Sequence, residues 1–144
     1  MKGPCPLVGV ADFFERLHGV VRFRLRPAVE NEFEPIGAQI ARVLARDGAT
    51  VVGVDVPQAA SDLISLTKEF GGDYLTLDIT AKDAPKRIAQ HLTTAHGGVD
   101  IVVHNAGITR DRRLANMDED RWSSVLSVNL VAPERITAEL LAQG

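Results

Sequence analysis

The segment Asn105-Ala106-Gly107 directly follows an apolar run at 99–103 and has the residue types to hold a flat ligand against the backbone. A short run rich in β-branched residues is typical of a buried parallel strand. Asn offers a hydrogen-bond donor and an acceptor, and Gly has no Cβ to keep a ligand at a distance. Because ligands of open α/β sheets bind at the carboxyl ends of the strands, we predict a binding site at this loop.

Two aspartates end other short apolar runs, and both could serve the same site. Asp55 and Asp78 each follow such a run directly. Asp55 stands 18 positions after Gly37, close to the spacing of about 20 at which a dinucleotide site places an acid for the adenine ribose hydroxyls. An aspartate that merely starts the loop before Pro57 would give the same pattern, and this alternative stays open.

The elements that must position these residues are visible from residue 36 onward, where helical and strand patterns alternate. Strands separated by helices of this length are the signature of a parallel sheet built from βαβ units. We therefore predict an α/β fold, a Rossmann-like doubly wound parallel sheet, present as a partial domain over residues 36–144. The glycines predicted to end its helices are Gly48, Gly71 and Gly97.

A long helix is predicted in the last part of the chain. Asp118 is a helix-capping residue type and precedes an apolar periodicity that includes Trp122. Pro133 should kink this helix because proline has no backbone N–H to donate.

Residues 1–35 form a divergent N-terminal segment. Val21, Phe23 and Leu25 alternate with arginines, which is the pattern of a half-exposed strand and favours an edge position over a buried parallel one. A nucleic-acid-binding stripe is the weaker interpretation, because the segment has five basic and five acidic residues and is neutral.

Composition limits the remaining functions. The net charge is −3, which indicates neither a nucleic-acid nor a membrane partner. The single cysteine, Cys5, cannot form a disulfide within the chain, and we expect a cytoplasmic protein. The four histidines show no metal-ligand spacing, so no metal site is predicted.

The sequence resembles a known family at several of these positions. His104-Asn105-Ala106-Gly107 is similar to the Asn-Asn-Ala-Gly motif of the short-chain dehydrogenase/reductases. The continuation 108–111, with Met117, Trp122 and Asn129, resembles the 3-oxoacyl-(acyl carrier protein) reductases. The resemblance implies NAD-dependent reduction of 3-oxoacyl thioesters, carried on acyl carrier protein or CoA, in fatty acid metabolism. It also implies a homo-oligomer.

The resemblance assigns the cofactor site residue by residue. The acid Asp55 implies NADH in preference to NADPH, because it disfavours a 2′-phosphate. Only the end of the family's glycine-rich phosphate loop is matched, while Glu32 and Glu34 replace part of the loop and imply a damaged phosphate cradle. The implied cofactor-binding residues are Ile36, Gly37, Asp55, Asp78, Ile79, Asn105, Ala106 and Gly107.

The resemblance assigns Asn129 to the catalytic machinery as the long-helix asparagine. The family's Ser and Tyr-x-x-x-Lys are not matched, since the only tyrosine, Tyr74, has Asp78 four residues later. The chain is therefore expected to be inactive alone, with the N-terminal and C-terminal parts of the family's domain altered or missing. The alternative is a non-catalytic interaction module that docks onto full-length reductases through its long helix.

Overall fold

The computed structural model describes residues 36–110 and 116–143 in full and the backbone of residues 18–22. Within these residues the chain alternates between strands and helices, as predicted. The strands are β1 (His18–Arg22), β2 (Thr50–Asp55), β3 (Asp73–Thr76) and β4 (Ile101–Val103). The helices are α1 (Ile36–Arg46), α2 (Ala60–Glu69, after a 3-10 turn at Pro57–Ala59), α3 (Ala84–His96), α4 (Glu119–Leu126) and α5 (Ala132–Gln143), with a π-helical segment, Ser127–Val131, between the last two.

The four strands form one parallel sheet in the order β3-β2-β1-β4. The chain crosses from β3 at one side of the sheet to β4 at the other, so the strand order reverses next to β1. This reversal is the topological switch point at which doubly wound sheets bind ligands. The predicted fold class is confirmed.

The position of β1 corrects the prediction of an edge strand. β1 pairs with β2 along its whole length and with β4 through residues 19–21, so it lies inside the sheet. The alternation of apolar residues with arginine indicates which side chains lie on each face of the strand. It does not indicate whether the main chain forms hydrogen bonds with a neighbouring strand on one side or on both. The strand also lies further toward the N-terminus than predicted, and Phe23 and Leu25 lie outside the described residues.

The core is divided between the two faces of the sheet. Neighbouring β2 residues Val51 and Val52 contribute to opposite clusters, because successive strand side chains point to opposite faces. One cluster involves α1 and α2, and the other α3 and α5. Every β2 residue after Thr50 is buried, as expected of a strand covered on both sides.

The glycine stops have the predicted role. Gly48, Gly71 and Gly97 have positive φ angles, and Gly97 ends α3 in the left-handed conformation, where residues with a Cβ are disfavoured. Gly72 is required for another reason. A Cβ at this position would lie 2.6 Å from the carbonyl oxygen of Val51 and 2.6 Å from the ring of Phe70.

The long helix is interrupted directly before Pro133. Asp118 caps α4, and its Oδ1 accepts a hydrogen bond from the N–H of Arg121 at 2.8 Å, as predicted. The residues before Pro133 form a π-helical segment, Ser127–Val131, and the kink expected at Pro133 stays a prediction. Pro133 has no backbone N–H and therefore cannot donate a helical hydrogen bond at this position. Among the described helices, none combines the length and the apolar character needed to cross a membrane.

Candidate cofactor site

Asp55, predicted as the ribose acceptor of a dinucleotide site, lies at the carboxyl end of β2. It is the last residue of β2 and is 1 % exposed. Its Oδ1 accepts a hydrogen bond from the N–H of Val56 at 2.7 Å, and its main-chain oxygen accepts one from the N–H of Leu77 at 2.8 Å. A buried carboxylate is costly unless its environment supplies donors. Its role as an acceptor for ribose hydroxyls stays a prediction.

Asp78 and Ile79 follow β3 at the same edge of the sheet, but their side chains differ in environment. The Oδ1 of Asp78 accepts hydrogen bonds from the N–H of Thr80 at 2.9 Å and from its hydroxyl at 2.8 Å. Ile79 is 3 % exposed and packs into the core. The pair therefore shapes the turn that leads toward α3, and its predicted part in cofactor binding stays a prediction.

Asn129 clasps the loop that follows β4. Its Oδ1 accepts a hydrogen bond from the N–H of Ile108 at 2.8 Å, and its Nδ2 donates one to the carbonyl of the same residue at 2.9 Å. A Cβ at Gly107 would lie 3.5 Å from the Asn129 Oδ1, an ordinary contact distance. The side chain of Asn129 thus holds the backbone of Ile108, directly after the Asn105–Gly107 loop, against the long helix.

The clasp depends on the π-helical segment, since Asn129 lies in the middle of Ser127–Val131. Single π-helical turns inside α-helices are often found at functional sites, where they redirect a side chain. Sequence reasoning identified Asn129 through the family resemblance, while the π-helical geometry gave no signal beyond the nearby proline.

His104 fastens the end of β4 to α5. Its Nε2 lies 2.9 Å from the hydroxyl of Thr137. Partial burial lowers the pKa of His104 below its usual value of 6.5, because desolvation disfavours the charged imidazolium. Beneath it is a cavity of about 20 Å³ whose lining includes Val54, Ala106 and Ile136, enough for one water molecule at most.

Ile36 and Gly37 begin α1. Gly37 is buried and Ile36 is exposed. The predicted damage to the phosphate cradle concerns Glu32 and Glu34, which lie outside the described residues. The role of all these residues in cofactor binding stays a prediction.

A second cluster of polar side chains lies at the opposite end of the sheet, where the strands begin. Asp73, His91 and His96 bring three metal-ligating atoms within 4.8 Å of one another. No local sequence pattern indicates this cluster, because Asp73 lies 18 residues before His91 and on a different element. The spacing of the histidines alone predicted no metal site.

The carboxylate and main-chain groups at the carboxyl ends of the strands are of the kind that the adenosine half of a dinucleotide requires. They belong to a buried aspartate at the end of β2 and to a backbone loop without bulky side chains after β4. Both lie on strand ends that flank the topological switch point.

Comparisons with known proteins agree with this architecture. The family model described as "Enoyl-(Acyl carrier protein) reductase" matches residues 33–142. The 3-oxoacyl-[acyl-carrier-protein] reductase of Vibrio cholerae is 36% identical over 106 residues, which are 74% of this chain and 43% of that protein. The same enzyme of Thermotoga maritima is 36% identical over 107 residues, covering 71% of this chain and 43% of its own. That of Escherichia coli is 32% identical over 106 residues, covering 74% and 43%.

A solved structure shows the same fold. L-Sorbose reductase from Gluconobacter frateurii, in complex with NADPH and L-sorbose, matches with a TM-score of 0.72 and 21% identity, covering 90% of this chain and 48% of that one. The chain therefore spans less than half the length of the relatives it matches. The matched residues include the strand ends and the clasped loop described above, and the chain belongs to the short-chain dehydrogenase/reductase family.

Proposed function

We propose that this chain is part of a nicotinamide-dependent 3-oxoacyl thioester reductase. In this reaction a hydride passes from the reduced nicotinamide to the 3-oxo carbon, and a proton passes to its oxygen, which gives a 3-hydroxyacyl thioester. The observation that carries the proposal is the loop Asn105–Gly107, held at the switch point by the two hydrogen bonds of Asn129. The relatives named as 3-oxoacyl-[acyl-carrier-protein] reductases support the substrate class.

Asp55 would select the cofactor. A carboxylate at the end of β2 can accept hydrogen bonds from both adenine ribose hydroxyls. A 2′-phosphate in their place would bring like charges together in a buried environment, where their repulsion is poorly screened. We therefore propose NADH as the preferred cofactor, whose nicotinamide supplies the hydride.

Asn129 would act by holding the loop in place. Its amide holds both main-chain groups of Ile108, so the backbone of the loop is ordered before a cofactor binds. Ordering before binding lowers the entropic cost of binding. The catalytic role implied for Asn129 by the resemblance is thus proposed as positioning in this chain.

We further propose that the 144-residue chain binds cofactor but does not turn it over. Its only tyrosine, Tyr74, lies in β3, which is separated from β4 and its loop by β2 and β1. This tyrosine cannot deliver a proton to a substrate at the clasped loop. General acid catalysis requires a donor within hydrogen-bond reach of the reacting oxygen.

Equilibrium dialysis of the purified chain with NADH and with NADPH tests the cofactor proposal. We expect NADH to bind more tightly, and Asp55→Asn to reduce that preference by about tenfold or more, since one lost charged hydrogen bond is worth about 1.5–3 kcal/mol. Asp62→Asn, an exposed acid on α2, is the matched control and should change neither affinity. Equal affinity for the two cofactors, or no binding of either, would contradict the proposal.

A reductase assay that follows nicotinamide absorbance with a short 3-oxoacyl-CoA substrate tests the proposed inactivity. We expect no substrate-dependent oxidation of NADH by the chain alone. Turnover above the rate of the buffer would show that the chain contains an acid that the present assignment lacks.

The second candidate function is a docking module. The exposed apolar side chains Trp122, Leu130 and Val131 lie on α4 and the π-helical segment, which the family resemblance identifies as an interface between subunits. The occupant that we propose is a full-length reductase of the same family. Co-purification of the chain with such a reductase, and its loss in a Trp122→Glu variant, would support docking, whereas a clean monomer in the mixture would contradict it.

A further inference from the structure

Asp73, His91 and His96 converge on one point at the amino edge of the sheet. Asp73 is the first residue of β3, and the two histidines lie in the C-terminal half of α3. The Nε2 atoms of His91 and His96 each lie 2.9 Å from the same oxygen, Oδ2 of Asp73. The imidazole rings are 5.6 Å apart at an angle of 59°. The three side chains therefore present their ligand atoms to a common centre.

We propose that these three side chains form a binding site for a divalent first-row transition metal ion, for which Zn²⁺ is the probe. Two imidazole nitrogens and one carboxylate oxygen are ligands that zinc accepts readily. Calcium and magnesium prefer all-oxygen sites, so the two histidines argue against them. This inference is independent of the proposed reductase function, because the cluster lies at the edge of the sheet opposite to the cofactor site.

The present distances require only a small adjustment. Tetrahedral zinc with bonds of about 2.0–2.1 Å places its ligand atoms about 3.3 Å apart, and the two Nε2–Oδ2 distances are 2.9 Å. The side chains of His91, Asp73 and His96 are 26%, 38% and 12% exposed, so they are partly free to rotate. Three protein ligands leave a fourth position for water, and an open groove beside His91 gives access to solvent.

The hydrogen bonds of the cluster without metal indicate which ring nitrogens of His91 and His96 carry a proton. A carboxylate only accepts hydrogen bonds, so both Nε2 atoms donate to Asp73. A metal ion needs the lone pair of each Nε2, and each neutral ring then carries its proton on Nδ1 instead. Metal binding thus replaces two N–H donors by one cation between the same three side chains.

A bound ion would join the C-terminal end of α3 to the start of β3. The ligands come from two elements that are far apart in sequence, so the ion would bind the folded chain better than the unfolded chain. It would therefore raise the melting temperature, and the rise should grow with the logarithm of the free zinc concentration above its Kd. The expected rise is on the order of 5–10 °C when free Zn²⁺ is about 100 times its Kd.

Zinc titration of the purified full chain tests the proposal. We expect one equivalent of Zn²⁺ to bind, and Mg²⁺ at the same concentration to leave the melting temperature unchanged. His91→Gln and Asp73→Asn should each weaken zinc binding by about tenfold or more, because each removes one ligand. His104→Gln and Cys5→Ser are matched controls that remove other possible zinc ligands, and both should retain one equivalent.

A second measurement on the unaltered chain keeps the proposal testable if the variants do not fold. In ¹H–¹⁵N spectra of the histidine rings, Zn²⁺ should shift the Nε2 resonances of His91 and His96 and leave those of His104 in place. The proposal is overturned if those resonances do not move, if no stoichiometric zinc binds, or if the Asp73→Asn and His91→Gln variants bind zinc as tightly as the original chain.

Discussion

The two ends of the strands, the carboxyl end and the amino end, carry polar clusters that are built in different ways. At the carboxyl ends of the strands, polar side chains form hydrogen bonds with main-chain groups. Asn129 bonds both the N–H and the carbonyl of Ile108, and Asp55 accepts a bond from the N–H of Val56. At the amino edge, the side chains of Asp73, His91 and His96 hold one another. A site formed by main-chain groups requires particular residue types within one short segment, and these residues are recognisable as a sequence motif. A site made by side chains from distant elements leaves no such motif, and only the folded structure brings it together.

Gly72→Ala should have the largest effect and would test how rigid the amino edge is. The new Cβ would meet the carbonyl oxygen of Val51 at 2.6 Å, and because this is backbone, β2 or the turn must shift. We expect a loss of about 2–3 kcal/mol in the free energy of unfolding, measured by urea denaturation. Gly107→Ala is the control, since its Cβ meets only an ordinary contact at 3.5 Å, and a similar loss in both variants would contradict the assignment.

Asn129→Ala should have the next largest effect and breaks the clasp at the carboxyl edge. It removes both hydrogen bonds to Ile108, and water can partly replace them because the site is exposed. The expected cost is about 1–2 kcal/mol in unfolding free energy, together with faster amide hydrogen exchange at Ile108. Asn129→Asp keeps the acceptor and should retain protection of that N–H; equal exchange in the two variants would argue against the clasp.

Asp118→Ala should have a smaller effect. It removes the N-cap of α4, whose side chain accepts from the N–H of Arg121 at 2.8 Å. We expect a loss of about 1 kcal/mol, seen by thermal unfolding, with Asp118→Asn as the variant that retains a capping side chain. A cost as large as that of Gly72→Ala would show that α4 supports the carboxyl edge more strongly than its contacts indicate.

The smallest effect is a pH dependence that comes from His104. Its pKa is lower in the folded chain than the usual 6.5, so the unfolded chain binds the proton more readily. The stabilisation is therefore complete above about pH 6.5 and is lost as pH falls through the folded pKa. The free energy of unfolding of the original chain should therefore decrease between pH 7 and pH 5 by more than that of the His104→Gln variant, as measured by urea denaturation at both pH values. An increase over that range would contradict the sign.

Most of the fold could be predicted from local signals. The apolar runs gave β2, β3 and β4, the positive-φ glycines gave the helix ends, and Asp118 gave the start of α4. The interior position of β1 could not be predicted, because backbone pairing on both sides leaves no mark on alternating side chains. The candidate cofactor-site residues were predicted from strand ends and a short motif, and their role stays a prediction. Asp73, His91 and His96 come together through the packing of α3 beside β3, which no local pattern specifies.

The π-helical segment also sets the phase of the helix that contains it. One extra residue per turn rotates everything after it by about 100° relative to a continuous α-helix. The apolar residues of the two helices on either side of it differ in burial: α5 buries Ala132 and Ile136, whereas α4 has no fully buried residue and its Trp122 is exposed. Deleting a single residue between 127 and 131 would realign the two helices, and it would turn either the core contacts of α5 or the amide of Asn129 away from its partner.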